Sequence, residues 1–85
     1  MIKCQIGNIV TISNANFPIV LRKGPGYSHN YVCTMSAKEF GIVLGGDIGH
    51  GMIIWVQLLI SGSGKKGWLP ESTLIVLDSI SSLEI

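Results

Sequence analysis

A thiol and two imidazoles are the side chains of this 85-residue sequence that could do chemistry. Cys33 with His29 or His50 could form a thiol–imidazole pair for nucleophilic catalysis, and Asp47 could orient His50 as a general base. Such chemistry needs a pocket that excludes water, and a chain this small does not enclose one easily. The alternative, that these are polar residues at turns, is favoured. The sequence therefore predicts a protein that is not an enzyme.

The same cysteines and histidines could also bind a metal or form a disulfide. Cys4, Cys33, His29 and His50 show no ligand pair at a C-x2-C spacing, so a metal site is not expected. Two cysteines in a chain of cytosolic composition are more often small buried hydrophobic residues than a disulfide. The glycine-rich residues 45–51 lack the lysine and the following helix that a phosphate loop requires. We therefore predict no cofactor.

Three aromatic residues and a proline are candidates for binding instead. Tyr27, Tyr31, Trp55 and Pro70 fall on predicted loops or at the rim of predicted strands, where they could line a shallow groove. For Trp55 an equal alternative is a second hydrophobic cluster beneath the loop of residues 27–31. The predicted binding site is therefore these four residues, and the predicted ligand is a protein or peptide.

Short β-strands must position these side chains. Glycine, asparagine and serine recur about every eight to twelve residues between segments rich in Ile, Val and Leu, which is typical of antiparallel strands. A hairpin is predicted from residues 55–58 and 66–69, and another connection between strands from residues 45–51. Pro70 predicts the start of a one-turn helical corner, which is followed by a strand at residues 74–77.

The strand at residues 52–60 has two distinct faces, because side chains alternate with a period of two. Trp55 and Gln57 share one face, and we expect Trp55 at its rim. Trp68, on the next strand, is expected to pack against the corner that follows it. We expect the core face to be the one without polar members, namely Ile54, Val56, Leu58 and Ile60.

Four segments together resemble the bacterial SH3 (Src homology 3) family: residues 20–26 (VLRKGPG), 40–44 (FGIVL), 55–58 (WVQL) and 67–69 (GWL). The resemblance implies an all-β fold, specifically a small SH3-like barrel of five to six short antiparallel strands with a one-turn helical corner near the C-terminus. In that family such barrels hold cell-wall peptides or proteins. The resemblance therefore implies a non-catalytic binding module.

The resemblance covers about residues 19–77 of a single predicted domain, residues 1–85, and leaves residues 78–85 as a tail. Trp55 and Pro70 match groove positions of the eukaryotic branch, which binds polyproline peptides.

Two departures from that branch concern the groove and its loop. Thr73 stands where that branch has a groove tyrosine. The loop carries Arg22, Lys23 and His29 in place of the acidic residues that pair with a basic peptide. A standard proline-peptide ligand is therefore not expected.

The composition favours self-association. Hydrophobic residues make up 47% of the chain and charged residues 13%, against about 25% charged residues in an average soluble domain. With a mean hydropathy of +0.50, we expect some apolar surface to be covered by another copy of the chain or by a partner chain. The alternative function is therefore a self-assembling structural subunit, joined through the N-terminal segment or residues 79–85.

Charge and hydropathy also limit which other classes of partner are expected. The net charge of +1 provides no clustered basic surface, so nucleic acid is not an expected partner. The longest apolar run, residues 52–60, is far shorter than the roughly 20 residues of a membrane-spanning helix. The first ten residues contain no apolar run of signal-peptide length. We therefore expect a cytoplasmic protein without a membrane partner.

Overall fold

A computed structural model describes residues 4–13 and 18–79, and it confirms the all-β class. Seven strands in this part of the chain join in one antiparallel sheet, with two 3-10 turns at His50–Met52 and Glu71–Thr73. The strands are β1 (Asn8–Ile12), β2 (Ile19–Arg22), β3 (Tyr31–Met35), β4 (Gly41–Ile48), β5 (Ile54–Ile60), β6 (Lys66–Pro70) and β7 (Leu74–Ser79).

The sheet is open, with the strand order β3-β2-β6-β5-β4-β1-β7. This differs from the expected closed barrel of five to six strands in both number and closure. Closure would require the two end strands, β3 and β7, to pair with each other. In the described sheet β3 pairs with β2 alone and β7 pairs with β1 alone. Both β3 and β7 are therefore edge strands of the described sheet.

The hydrophobic core lies against one face of the sheet. On β5 the period of two buries Val56, Leu58 and Ile60 as expected, whereas Ile54, at the start of the strand, is only half-buried. Each fully buried aliphatic side chain stabilises the fold by about 1.5–3 kcal/mol. The core cluster contains Cys4, Val10, Ile12, Leu21, Cys33, Met35, Val43, Val56, Leu58, Ile60, Leu69 and Leu74.

Strand β4 runs through part of the glycine-rich segment that the sequence predicts as a hairpin connection. Gly45 and Gly46 pair with Gln57 and Val56 of β5, so both glycines belong to the sheet. Hydrogen bonding to a neighbouring strand here outweighs the weak strand propensity of glycine. The observed connection between β4 and β5 is shorter and contains the turn at His50–Met52.

The one-turn helical corner is present at Glu71–Thr73. Pro70 is the extended residue before the turn rather than its first residue, and its carbonyl oxygen accepts a hydrogen bond of 2.7 Å from Thr73 Oγ1. The buried carboxylate of Glu71 accepts the Cys4 N–H at 2.8 Å and so ties the chain before β1 to this corner. Within residues 4–13 and 18–79, no helix is both long and apolar enough to span a membrane.

Candidate functional site

The face of the sheet opposite the core carries a row of large side chains from four neighbouring strands. Tyr31 on β3 pairs with Arg22 on β2, Arg22 pairs with Trp68 on β6, and Trp68 pairs with Gln57 on β5. Directly opposed residues of antiparallel strands point to the same face, so these side chains lie side by side. We refer to Tyr31, Arg22, Trp68 and Gln57 as the outer row.

The outer row is an open surface and not a cleft. It crosses three strand spacings, which is about 14 Å. Tyr31 is 60% exposed, and the other three members are half-buried. Beyond Gln57, its β4 partner Gly45 carries no side chain, and no atom lies within 4 Å of the position where a Cβ would stand. The row therefore ends in open space, which suits an extended segment better than an enclosed small molecule.

The loop between β2 and β3 folds back on itself beside this row. Lys23 N–H donates to Asn30 O at 2.9 Å, and His29 N–H donates to Gly26 O at 3.2 Å. The His29 ring packs against Gly24, where a Cβ would stand 2.6 Å from the imidazole. These contacts define the course of the loop and present its tip to the sheet.

Trp55 lies beneath the tip of this loop. Its side chain is 1% exposed, and the Tyr27 ring packs on it edge-on with centroids 4.9 Å apart. This confirms the second hydrophobic cluster as the position of Trp55, and the expected rim position is wrong. The rim position followed from the strand period alone, which cannot show that a loop covers that face. Among the described residues, Trp55 Nε1 has no hydrogen-bond partner.

Gly49 makes the close contact between this loop and Trp55 possible. A Cβ at Gly49 would stand 2.5 Å from the Pro25 carbonyl oxygen and 2.7 Å from Trp55 Cδ1. Neither distance is compatible with a real side chain, so the residue at this position must be glycine for the loop to approach the indole this closely.

The four predicted site residues thus divide into supporting and exposed positions. Pro70 is buried and pairs with Trp55 across β5 and β6, so both lie under the surface. Tyr27 and Tyr31 are 62% and 60% exposed. Arg22 joins the two tyrosines, because its guanidinium carbon lies 5.7 Å from the Tyr27 ring centroid and its backbone pairs with Tyr31.

Arg22, Trp68 and Gln57 are not among the binding residues predicted from the sequence. There, Arg22 belongs to a segment of the bacterial SH3 resemblance and to the loop that departs from the eukaryotic branch, and Trp68 is expected to be a packing residue. The period of two on β6 was the available signal for Trp68, since it separates Trp68 from the buried Gly67 and Leu69. No local signal shows that Arg22 is its neighbour.

Of the side chains considered for catalysis, Cys33 and His29 lie in different parts of the fold, and the His50 side chain is outside what the structure describes. Cys33 belongs to the core, whereas His29 lies in the exposed loop against Gly24. Burial raises the pKa of the Cys33 thiol; Lys65 acts in the opposite direction and Glu39 adds to the rise. A raised pKa disfavours the reactive thiolate. The Asp47 carboxylate accepts the Ile48 N–H at 2.8 Å.

The described residues show neither a disulfide nor a metal-binding cluster. Cys4 and Cys33 are both buried and are not joined by a disulfide. Across residues 4–13 and 18–79, no group of three or more His, Cys, Asp or Glu side chains is placed to hold a metal ion.

A hollow of about 330 Å³ lies at the start of β5, away from the outer row. Met52, Ile53, Ile54, Glu71 and Ser72 line it. The Glu71 carboxylate accepts a hydrogen bond from the Cys4 N–H, and this structural contact explains why the carboxylate is buried.

Comparison with known proteins identifies no relative. No protein-family model matches the chain, and neither a curated protein nor a solved structure is significantly similar to it.

Proposed function

We propose that the protein is a non-catalytic interaction module of the bacterial SH3 type that holds an extended segment of a partner protein across the outer row. The observation that supports this proposal most is the alignment of Tyr31, Arg22 and Trp68 on three neighbouring strands, with Tyr27 beside them. Cys33, a buried core thiol, suits a protein of the reducing cytoplasm, which is the location we propose.

The residue types of this surface support a protein ligand. Tyrosine, tryptophan and arginine are the residues enriched at protein interfaces and among the side chains that dominate binding energy. Both tyrosines expose most of their rings, and a tyrosine loses little conformational entropy when a ligand covers it. The row's length of about 14 Å matches about four residues of an extended peptide.

The first prediction concerns the two exposed tyrosines. Short peptides selected from a random phage-displayed library on the wild-type protein should bind the Tyr27→Ala/Tyr31→Ala variant at least about tenfold more weakly, because two aromatic contacts are lost. Affinities are measured by fluorescence anisotropy with the synthetic peptides, and folding by circular dichroism.

Phe40→Ala is the matched control for this experiment. Phe40 is also an exposed aromatic residue, at 51%, but it is not a member of the outer row. Its removal should leave the affinities unchanged. The proposal is wrong if the double variant stays folded and binds every selected peptide as tightly as the wild type does.

A second candidate function, the self-assembling structural subunit, is favoured by edge strand β7. Ile75, Val76 and Leu77 are consecutive and each is between 37% and 50% exposed. Edge strands are usually protected by charged residues or proline, and these three positions carry neither. Two copies could pair their β7 strands antiparallel about a two-fold axis and so continue the sheet.

Light scattering of the purified protein at micromolar concentration tests self-assembly. The expected mass is about twice the 9.1 kDa of the chain, since pairing of two edge strands gives a closed dimer. A mass of 9.1 kDa would contradict this second candidate and would leave the first one intact.

A further inference from the structure

Arg22 is the charged residue of the outer row and lies in its interior. Tyr31 flanks it on β3 and Trp68 flanks it on β6. Its known contacts are both uncharged: Nη1 donates to His29 O at 3.0 Å, and the guanidinium lies over the Tyr27 ring. A guanidinium has five N–H donors, and within residues 4–13 and 18–79 one of them makes the hydrogen bond to the His29 carbonyl.

The contacts of Arg22 also hold its side chain in place. The His29 carbonyl belongs to a loop that its own hydrogen bonds define, and the Tyr27 ring rests on the buried Trp55. A side chain that is already ordered loses less conformational entropy when it binds. Arg22 is therefore a prearranged donor between two aromatic rings.

The charge around Arg22 is positive over a long stretch of sequence. Residues 18–35, which include β2, the loop and β3, contain Arg22 and Lys23 but no aspartate or glutamate, and the next two charged residues, Lys38 and Glu39, have opposite signs. Asp47, an acidic residue on the same face, lies on β4 and pairs with Trp55 of β5. A basic peptide would meet repulsion at the centre of the row, whereas a carboxylate would find a charged, forked donor.

We propose that the segment bound across the outer row is acidic, with an aspartate or glutamate carboxylate on the Arg22 guanidinium and apolar residues against Tyr31 and Trp68. This inference rests on the proposed function and adds the chemical class of the partner. A single arginine in the row suits one carboxylate, whereas a nucleic-acid backbone would need a series of cations along its path.

The test compares peptide selections on the wild-type protein and on Arg22→Gln. Peptides selected on the wild type should be enriched in aspartate or glutamate next to aromatic or aliphatic residues. Changing that acidic residue to its amide should weaken binding to the wild type about tenfold, because a charge-assisted hydrogen bond is lost. Arg22→Gln should bind the acidic and amide peptides equally, which a double-mutant cycle measures directly.

Two further variants separate charge in the row from charge in general. Lys23→Gln removes the adjacent exposed cation and should leave the preference for acidic peptides intact. Arg22→Lys keeps the charge but loses the forked donor, so it should retain only part of the preference. Thermal unfolding of each variant establishes that it is folded.

The outcomes distinguish this inference from the proposed function. Selected peptides that bind through the tyrosines but show no acidic preference, or no dependence on Arg22, would overturn the acidic partner and leave the module intact. Peptides that bind Tyr27→Ala/Tyr31→Ala as well as the wild type would overturn both. Tighter binding of single-stranded oligothymidine than of any selected peptide would also overturn the inference.

Discussion

Trp55 and Trp68 have the same side chain but different surroundings in this fold. Both lie on the face of the sheet opposite the core. The β2–β3 loop covers Trp55, which is 1% exposed, whereas Trp68 stays half-exposed beside Arg22. Trp55 therefore supports Tyr27, and Trp68 offers contact area to a ligand. From the sequence, Trp68 was expected to pack against the corner, and for Trp55 a rim position and a cluster beneath the loop were equal alternatives, because adjacent turns do not show which indole a distant loop will cover.

At the residue scale, we predict that Gly49→Ala destabilises the protein by about 1–3 kcal/mol, the usual cost of inserting a methyl group into a packed site. The added Cβ would collide with the Pro25 carbonyl and with Trp55, so the loop must move away from the indole. The measurement is thermal unfolding followed by tryptophan fluorescence, in which both the midpoint and the native emission should shift.

Gly45→Ala is the matched control for this substitution. No atom outside its chain neighbours lies within 4 Å of its Cβ position, so the unfolding free energy should not fall and should rise by at most about 1 kcal/mol. Equal effects at the two positions would contradict the close contact between the loop and Trp55.

At the scale of secondary-structure elements, the two edges of the sheet differ. Edge strand β3 has an exposed Tyr31 but buries Cys33 and Met35, and its neighbour β2 is followed by the folded loop. Edge strand β7 exposes aliphatic side chains at three consecutive positions, so both of its faces contribute apolar surface. The edge at β3 is thus suited to supporting a binding site, and the edge at β7 is suited to strand pairing.

The prediction for β7 is that Ile75→Lys/Leu77→Lys shifts the protein from dimer to monomer. Charges on an edge strand oppose pairing with another strand, and the two lysines of one copy would also face those of the other. Light scattering over a concentration series measures the change. Ile48→Lys is the control, because Ile48 is 57% exposed but lies on β4, and the mass of this variant should remain that of the wild type.

At the scale of the whole molecule, one small core must stabilise the described sheet. Twelve buried residues from all seven strands and the segment before β1 form a single cluster. A domain of this size buries a limited fraction of its surface, so individual core groups carry a large share of its stability. Cys33 is one of them, and its burial links stability to pH.

We predict that the free energy of unfolding falls on the alkaline side. Burial raises the pKa of the Cys33 thiol above its ordinary value of 9.0. The charge of Lys65 lowers this pKa, and the charge of Glu39 raises it further. The unfolded chain therefore loses this proton at a lower pH than the folded chain does. The contribution is intact well below pH 9.0 and is lost as the pH rises towards and through the folded pKa.

Urea unfolding of the wild type and Cys33→Val between neutral and alkaline pH measures this dependence. Other titrating groups affect both proteins alike, so the difference between their free energies of unfolding isolates the thiol. That difference should change above about pH 9, with the wild type losing more stability than the variant. Parallel curves would show that Cys33 titrates equally in both states.

The sequence by itself determined the features that depend on neighbouring residues. The all-β class, the buried set of Val56, Leu58 and Ile60, and the corner after Pro70 follow from strand period and turn chemistry, which act over a few residues. The persistence of β4 through Gly45 was not visible, because pairing with β5 overrides local propensity.

Only the tertiary structure decided which side chains form the outer row. Strand order and register place Arg22 between Tyr31 and Trp68, although Trp68 is distant from both in the sequence. A period of two fixes the face on which a residue lies, but it specifies neither the strand beside it nor the loop above it. For that reason the exposure of Tyr27 and Tyr31 was predictable from the sequence, whereas the position of Arg22 beside both and the burial of Trp55 were not.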